Sequence, residues 1–192
     1  MNDEFNAWFQ QFIYKLGKRF NSISMGLNWY LGHNGKIIIE TGTSRLIGNW
    51  EGDGCFTVIA GSIAKATNTK LWTCDLLKDH IDAAKFMTRE FKDNIEYVEG
   101  DSVAFLESVL CPIDFLYLDS MDFVIGGDPN PAQDHCLKEY LAAKENLHSN
   151  SIVIIDDCAL PQGGKGKKCI EQMHSDGCVS IYSSYQEVLI KS

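Results

Sequence analysis

Apolar side chains recur along the first twenty residues at Phe5, Trp8, Phe9, Phe12, Ile13, Leu16 and Phe20. Spacings of three and four draw one stripe and predict an amphipathic helix over 3–20, capped by Asn2 or Asp3. Such a helix serves as a lid or packing element, and its aromatic content also suits a homodimer contact. Residues 21–35 read as a second short helix or a loop, ending in Gly32-His33-Asn34-Gly35. The pattern then changes period. Ile37-Ile38-Ile39 running into Glu40 is too short for a helix and suits a strand buried on both faces. Comparable runs follow at 71–74, 95–98, 113–118 and 152–155. Helical patterns separate them at 55–66, 79–91, 103–110 and 132–147, and another ends near His174. Residues 179–183 and 187–190 close the chain as two strands with a tight turn between them.

Strand and helix alternate five times, which predicts a parallel sheet with right-handed crossovers and helices on both faces. The closing hairpin adds an antiparallel element. A chain of 192 residues suits one such domain. Residues 1–35 would form a helical lid or packing segment, and residues 36–192 the core. A formal charge of -9 leaves little to gain from phosphate counterion release, so nucleic acid and anionic membranes are not expected partners. Lys165, Lys167 and Lys168 are a local exception and read as a solvated basic loop. No apolar run approaches the roughly 20 residues of a membrane span, and no secretory pattern is visible, so a cytoplasmic location is expected. The seven cysteines are scattered with no CxxC pair, as for reduced thiols filling a core.

Each of the first five strands carries an acid at or just beyond its carboxyl end: Glu40, Asp75, Asp101, Asp119 and Asp156, with Asp157 as a sixth. A parallel sheet opens all those ends on one edge, where ligands bind. One acid alone would read as a helix cap; five in register predict a shared crevice for hydroxyls, a cationic ligand or a metal. The turn Glu40-Thr41-Gly42-Thr43-Ser44 holds one glycine, whereas a nicotinamide dinucleotide fingerprint needs three to seat a pyrophosphate. A ligand with ribose hydroxyls and a positive centre but no phosphate fits better, and S-adenosylmethionine answers that description.

In the order of its elements, Glu40-x-Gly42 after strand one, Asp75 after strand two, Gly100-Asp101-Ser102 after strand three and the closing hairpin, the chain resembles class I S-adenosylmethionine-dependent methyltransferases over residues 36–192. The resemblance implies a single Rossmann-like, doubly wound α/β sheet, seven-stranded and mostly parallel, with one antiparallel strand near the C-terminus. It implies that Glu40 and Gly42 line the methionine part of the cofactor with Thr43 beside them. Asp75 would take the ribose hydroxyls, and Asp101 and Ser102 would border the adenine. The long segment from Arg45 to Gly54 departs from many relatives, which reach the next helix sooner.

A narrower resemblance joins Leu118-Asp119 and Ile155-Asp156-Asp157 to the metal site of catechol-type and macrocin-type O-methyltransferases. It implies that Asp119, Asp156 and Asp157 hold Mg²⁺ or another hard divalent cation, with Asp119 also touching the cofactor; oxygen-only ligands suit such ions. Relatives often carry a tighter Asp-Gly-Asp after strand four. Here Asp119-Ser120-Met121-Asp122 shifts the second acid, leaving Asp122 or His135 as the general base. The loop 120–131, with Gly126-Gly127-Asp128-Pro129, reads as a cover over the site. The function expected is O-methylation of a small hydroxylated acceptor, a sugar or natural product. The alternatives are a nicotinamide- or nucleotide-sugar-dependent oxidoreductase, and a non-catalytic cofactor-binding protein of the same fold.

Overall fold

A computed structural model describes residues 3–191, with side chains from residue 5 onward. The expected caps, Asn2 and the Asp3 side chain, lie outside the described residues. The apolar stripe of the first twenty residues folds as short pieces rather than one helix. These are α1 (Asp3–Phe9), α2 (Ile13–Leu16) and α3 (Phe20–Gly32), joined by 3₁₀ turns. Gly17, with φ of 48°, breaks the run in a conformation that L side chains avoid. The stripe is still used: Phe5, Phe9, Phe12, Leu16 and Phe20 bury with Ile23, Leu27 and Tyr30 of α3 in one cluster. Ile23, Leu27 and Tyr30 continue the three-and-four spacing, so the segment after Phe20 is a helix and not a loop.

The chain continues through β1 (Ile37–Thr41), α4 (Trp50–Asp53), α5 (Phe56–Thr67), β2 (Lys70–Asp75), α6 (Lys78–Met87), β3 (Ile95–Glu99), α7 (Ser102–Ser108) and β4 (Ile113–Leu118). It ends with α8 (Asn130–Ala143), β5 (Leu147–Ile155), α9 (Lys167–Ser175), β6 (Cys178–Ser183) and β7 (Glu187–Lys191). Seven strands form one sheet in the order β3-β2-β1-β4-β5-β7-β6. The first five pair in parallel, and β7 runs antiparallel to both neighbours. The order reverses between β1 and β4, and their carboxyl ends therefore flank the crevice where such sheets bind ligands.

Alternation along the strands divides the core in two. Ile38, Phe115, Tyr117, Ile152 and Ile154 face the N-terminal helices and α5. Ile39, Leu116, Leu118, Val153 and Ile155 face α7, α8 and α9. Strand β5 begins at Leu147, ahead of its apolar run, because polar side chains satisfy its early backbone. Ser151 Oγ accepts from His148 N at 2.8 Å and donates to Ile113 O. All seven cysteines are free, five of them buried. Among the described residues no helix is long and apolar enough to cross a membrane.

Candidate active site

Backbone bonds carry the sheet ladder past its strand ends: Gly42 N to Cys74 O at 2.8 Å, Asp119 N to Thr41 O at 2.9 Å, Gly100 N to Asp75 O at 2.9 Å and Asp156 N to Leu118 O at 3.1 Å. The turns after β1, β3, β4 and β5 are thus held on one edge. Gly42 has φ of 82°, and a Cβ there would run into the carbonyl oxygen of Asp119. The glycine lets the turn after β1 lie directly against the turn after β4.

Above these turns lies a cavity of about 370 Å³, at the lower end of small-molecule sites, which span roughly 300–1,000 Å³. Gly42, Thr43, Asp75, Asp101, Ser102, Asp119, Asp122 and His135 all contribute to its wall. Asp75 is oriented from several sides. Thr43 N and Leu77 N donate to its two oxygens at 3.2 and 3.0 Å, and His80 Nδ1 lies 2.9 Å from Oδ1. Asp101 caps α7 through Ala104 N at 2.9 Å, so it is a helix cap and a wall residue at once. His135 on α8 places Nε2 3.0 Å from Ser102 Oγ and 3.6 Å from Glu139 Oε1. The neighbouring Glu139 carboxylate holds its pKa above the ordinary value. Asp122 meets Arg45 Nη1 at 2.9 Å, which keeps its carboxyl below the usual range. That pair ties the loop after β1 to the loop after β4. Ser120 Oγ, in the same wall, is buried without a hydrogen-bond partner among the described residues, a position a ligand atom can satisfy.

Glu40, Asp156 and Asp157 are not in that wall. Glu40 is 1% exposed and accepts from Thr73 Oγ1 at 2.6 Å and Thr57 Oγ1 at 2.7 Å. Burial pushes its carboxyl up to about 8 against those two bonds. It lies beneath the turn rather than lining the cavity. Asp156 shares the strand face of Ile152 and Ile154, the side covered by the N-terminal segment. There Arg19 Nε donates to both its oxygens at 3.1 and 2.9 Å, and Gln186 Nε2 adds a third bond at 3.0 Å. Asp157 accepts from the Tyr185 hydroxyl, and Lys165 Nζ stands 3.5 Å from its Oδ2. Lys165 also forms an ion pair with Asp119 Oδ1.

The expectation of a divalent ion on Asp119, Asp156 and Asp157 does not fit these residues. Each carboxylate already has a cationic partner, and among the described residues no group of three or more His, Cys, Asp or Glu side chains could hold a metal ion. At an effective dielectric constant near 20, unit charges about 4 Å apart interact by about 4 kcal/mol. A doubly charged ion entering beside Lys165 and Arg19 would meet repulsion of at least that size.

Arg19 and Lys165 carry this network, and the sequence pattern concealed both. Arg19 falls between apolar stripe positions and is 3% exposed. Its Nη1 and Nη2 reach Glu51 O at 2.6 Å and Gly52 O at 3.2 Å, so part of the Arg45-to-Gly54 segment seats the guanidinium. Lys165, expected in a solvated basic loop, is 2% exposed. Burial alone would lower its pKa, but Asp119, Asp156 and Asp157 outweigh that and hold the ammonium above its ordinary range. The one available signal was Gly163-Gly164-Lys165-Gly166, glycines on both sides of a lysine. Gly164 has φ of 55°, and a Cβ on it would run into the Asp157 carbonyl oxygen.

No family model matches this chain, and no curated protein matches it. Solved structures do. The calicheamicin methyltransferase CalS11 aligns with TM-score 0.64 at 14% identity, over 88% of this chain and 77% of that one. The Podospora anserina methyltransferase PaMTH1, bound to S-adenosylhomocysteine, aligns with TM-score 0.59 at 14% identity, over 97% and 85%. The mycinamycin-pathway methyltransferase MycE, in complex with Mg, S-adenosylhomocysteine and mycinamycin VI, aligns with TM-score 0.54 at 14% identity, over 82% of this chain and 44% of that one. Seven strands with β7 reversed, helices on both faces and a crevice at the β1–β4 switch define an α/β Rossmann-like fold. That fold is the one of class I S-adenosylmethionine-dependent methyltransferases.

Proposed function

We propose that this chain is an S-adenosylmethionine-dependent methyltransferase that transfers a methyl group to an oxygen of a small hydroxylated acceptor, a sugar or natural product. The observation that carries the reading is Asp75: a carboxylate in the cavity wall, fixed by Thr43 N, Leu77 N and His80, at the end of β2, one strand from the switch point. A carboxylate held this way suits a ribose diol, because charge-assisted hydrogen bonds are the strong ones. Thr43 and Gly42 border the same space toward β4, and Asp101 and Ser102 border it toward β3. Solved neighbours support the reading. CalS11 is described as a TDP-rhamnose 3'-O-methyltransferase, and PaMTH1 carries S-adenosylhomocysteine.

When bound, the cofactor supplies an electrophilic methyl group on a sulfonium. The residues of this chain have to bind it, orient the acceptor and accept the acceptor's proton. Asp119, Ser120, Met121 and Asp122 form the β4 side of the cavity, and Arg45 reaches it from the loop after β1. Asp122, in the cavity wall close to the end of β4, is our choice for the group that accepts the hydroxyl proton, and its ion pair with Arg45 makes it an ionised but weak base. His135 is the weaker candidate, because its ring lies on Ser102 at the β3 side, which the cofactor's adenine would take. Incubation with methyl-labelled S-adenosylmethionine and a panel of sugars, phenols and macrolides is the test. Label in the ether fraction supports O-methylation. Label only in amine or thiol acceptors contradicts it.

A further inference from the structure

Three carboxylates converge at the ends of β4 and β5, and two buried cations already stand among them. We propose that Lys165, seconded by Arg19, is a resident cation occupying the position of a divalent ion, and that it positions Asp119 in the cavity wall so that the chain works without metal. The functional half of this inference rests on the methyltransferase reading; the charge substitution stands on geometry alone.

The lysine is delivered by a built loop. Gly164 lies against the backbone of Asp157 so closely that no side chain fits, and Gly166 likewise abuts Cys158 Sγ. Gln133, itself 4% exposed, clamps the loop through Nε2 to Gly164 O at 2.9 Å and Gln162 O at 3.2 Å. Lys165 Nζ is thereby set on Asp119 Oδ1, with Asp157 Oδ2 and Met121 O each 3.5 Å away. Arg19 does the same for Asp156 from the opposite end of the chain, locked by Glu51 O and Gly52 O. A divalent ion would neutralise and orient such carboxylates through several oxygen ligands at once. Here an ammonium and a guanidinium offset two of the three charges and orient the carboxylates through hydrogen bonds, and Tyr185 donates to Asp157 as a neutral third.

The test is Mn²⁺ titration followed by electron paramagnetic resonance, which needs no activity and so separates this inference from the methyltransferase reading. In wild type the signal of free Mn²⁺ should persist to millimolar concentrations, and the melting midpoint should be the same in EDTA and in Mg²⁺. Lys165→Met keeps most of the side-chain volume and removes the charge. It should bind Mn²⁺ at least tenfold more tightly than wild type, and adding Asp119→Asn should abolish that binding. Methyl transfer by wild type should be indifferent to EDTA, whereas kcat of Lys165→Met should fall and then respond to Mn²⁺. Stoichiometric Mn²⁺ binding by wild type, lost in Asp157→Asn, would overturn the proposal. So would a folded Lys165→Met that ignores the ion. Should Lys165→Met not fold, the wild-type titration with its Asp157→Asn control decides the question.

Discussion

Glu40 sits under the cavity with its carboxyl pushed up to about 8 by burial, and this sets a pH dependence. Between about pH 4.5 and pH 8 the folded chain retains a proton that the unfolded chain has released. The stability contributed by the protonated group is whole below the unfolded pKa and is lost as pH rises through the folded one. Glutamine stands in for the protonated carboxyl, so wild type should match Glu40→Gln near pH 4.5, lose stability relative to it up to about pH 8 and then level, as read from denaturant melts. Parallel curves over that range would show that Glu40 is ionised in the folded state. Gly42→Ala faces both a positive φ and the Asp119 carbonyl, so it should lose on the order of 1–3 kcal/mol of stability. A variant as stable as wild type would mean that the two turns can separate without cost. At this scale the sequence showed which residues gather: Gly42, Thr43, Asp75, Asp101, Ser102, Asp119, Asp122 and His135 share one wall. It did not show that Glu40 and Asp156 lie beneath that wall. Strand parity held the clue, since Asp156 repeats the face of Ile154, but only the packed structure puts Arg19 there.

Among the elements, the loops after β1 and β4 face each other at the site. They meet through Arg45 and Asp122, a half-exposed pair worth little by itself, so the contact is one that ligand binding can reinforce. Val124 and Ile125 stand out of the second loop, 68% and 70% exposed. Amide exchange over residues 120–131 should slow when S-adenosylhomocysteine is added. Exchange that is already slow in the free chain and unchanged by the ligand would make the loop a fixed wall. The strands were legible because apolar runs of that length bounded by turns have few other solutions. The N-terminal run was legible as an apolar stripe but not as separate pieces, since Gly17 interrupts it at a position the stripe does not use. Charge alone predicts solvation for the loop carrying Lys165, and the partners that reverse that expectation lie outside the loop, at Asp119 after β4 and Asp157 after β5.

For the whole molecule, the N-terminal segment is part of the core and of the charge network. Phe5, Phe9, Phe12 and Leu16 are buried, and fully burying such a side chain contributes about 1.5–3 kcal/mol. Leaving Asp156 buried without Arg19 costs a further 3–5 kcal/mol or so. Together these are comparable to the roughly 5–15 kcal/mol by which domains are stable. A chain beginning at Phe20 should not melt cooperatively by circular dichroism; a cooperative transition near that of the full chain would reduce the segment to an accessory. The parallel sheet follows from alternating strands and helices, and its seven strands with one reversed were implied by the family resemblance, whereas charge compensation between opposite ends of the chain has no local signature. The central claim is that the cavity beside β1 and β2 binds S-adenosylmethionine through Asp75. Its most direct test is calorimetry of S-adenosylhomocysteine with wild type and with Asp75→Ala, each confirmed folded by its melt. The account predicts saturable one-to-one binding by wild type and an affinity at least about tenfold weaker in the variant, the loss of hydrogen bonds worth about 1.5–3 kcal/mol. No binding by wild type, or an affinity unchanged in Asp75→Ala, would contradict it.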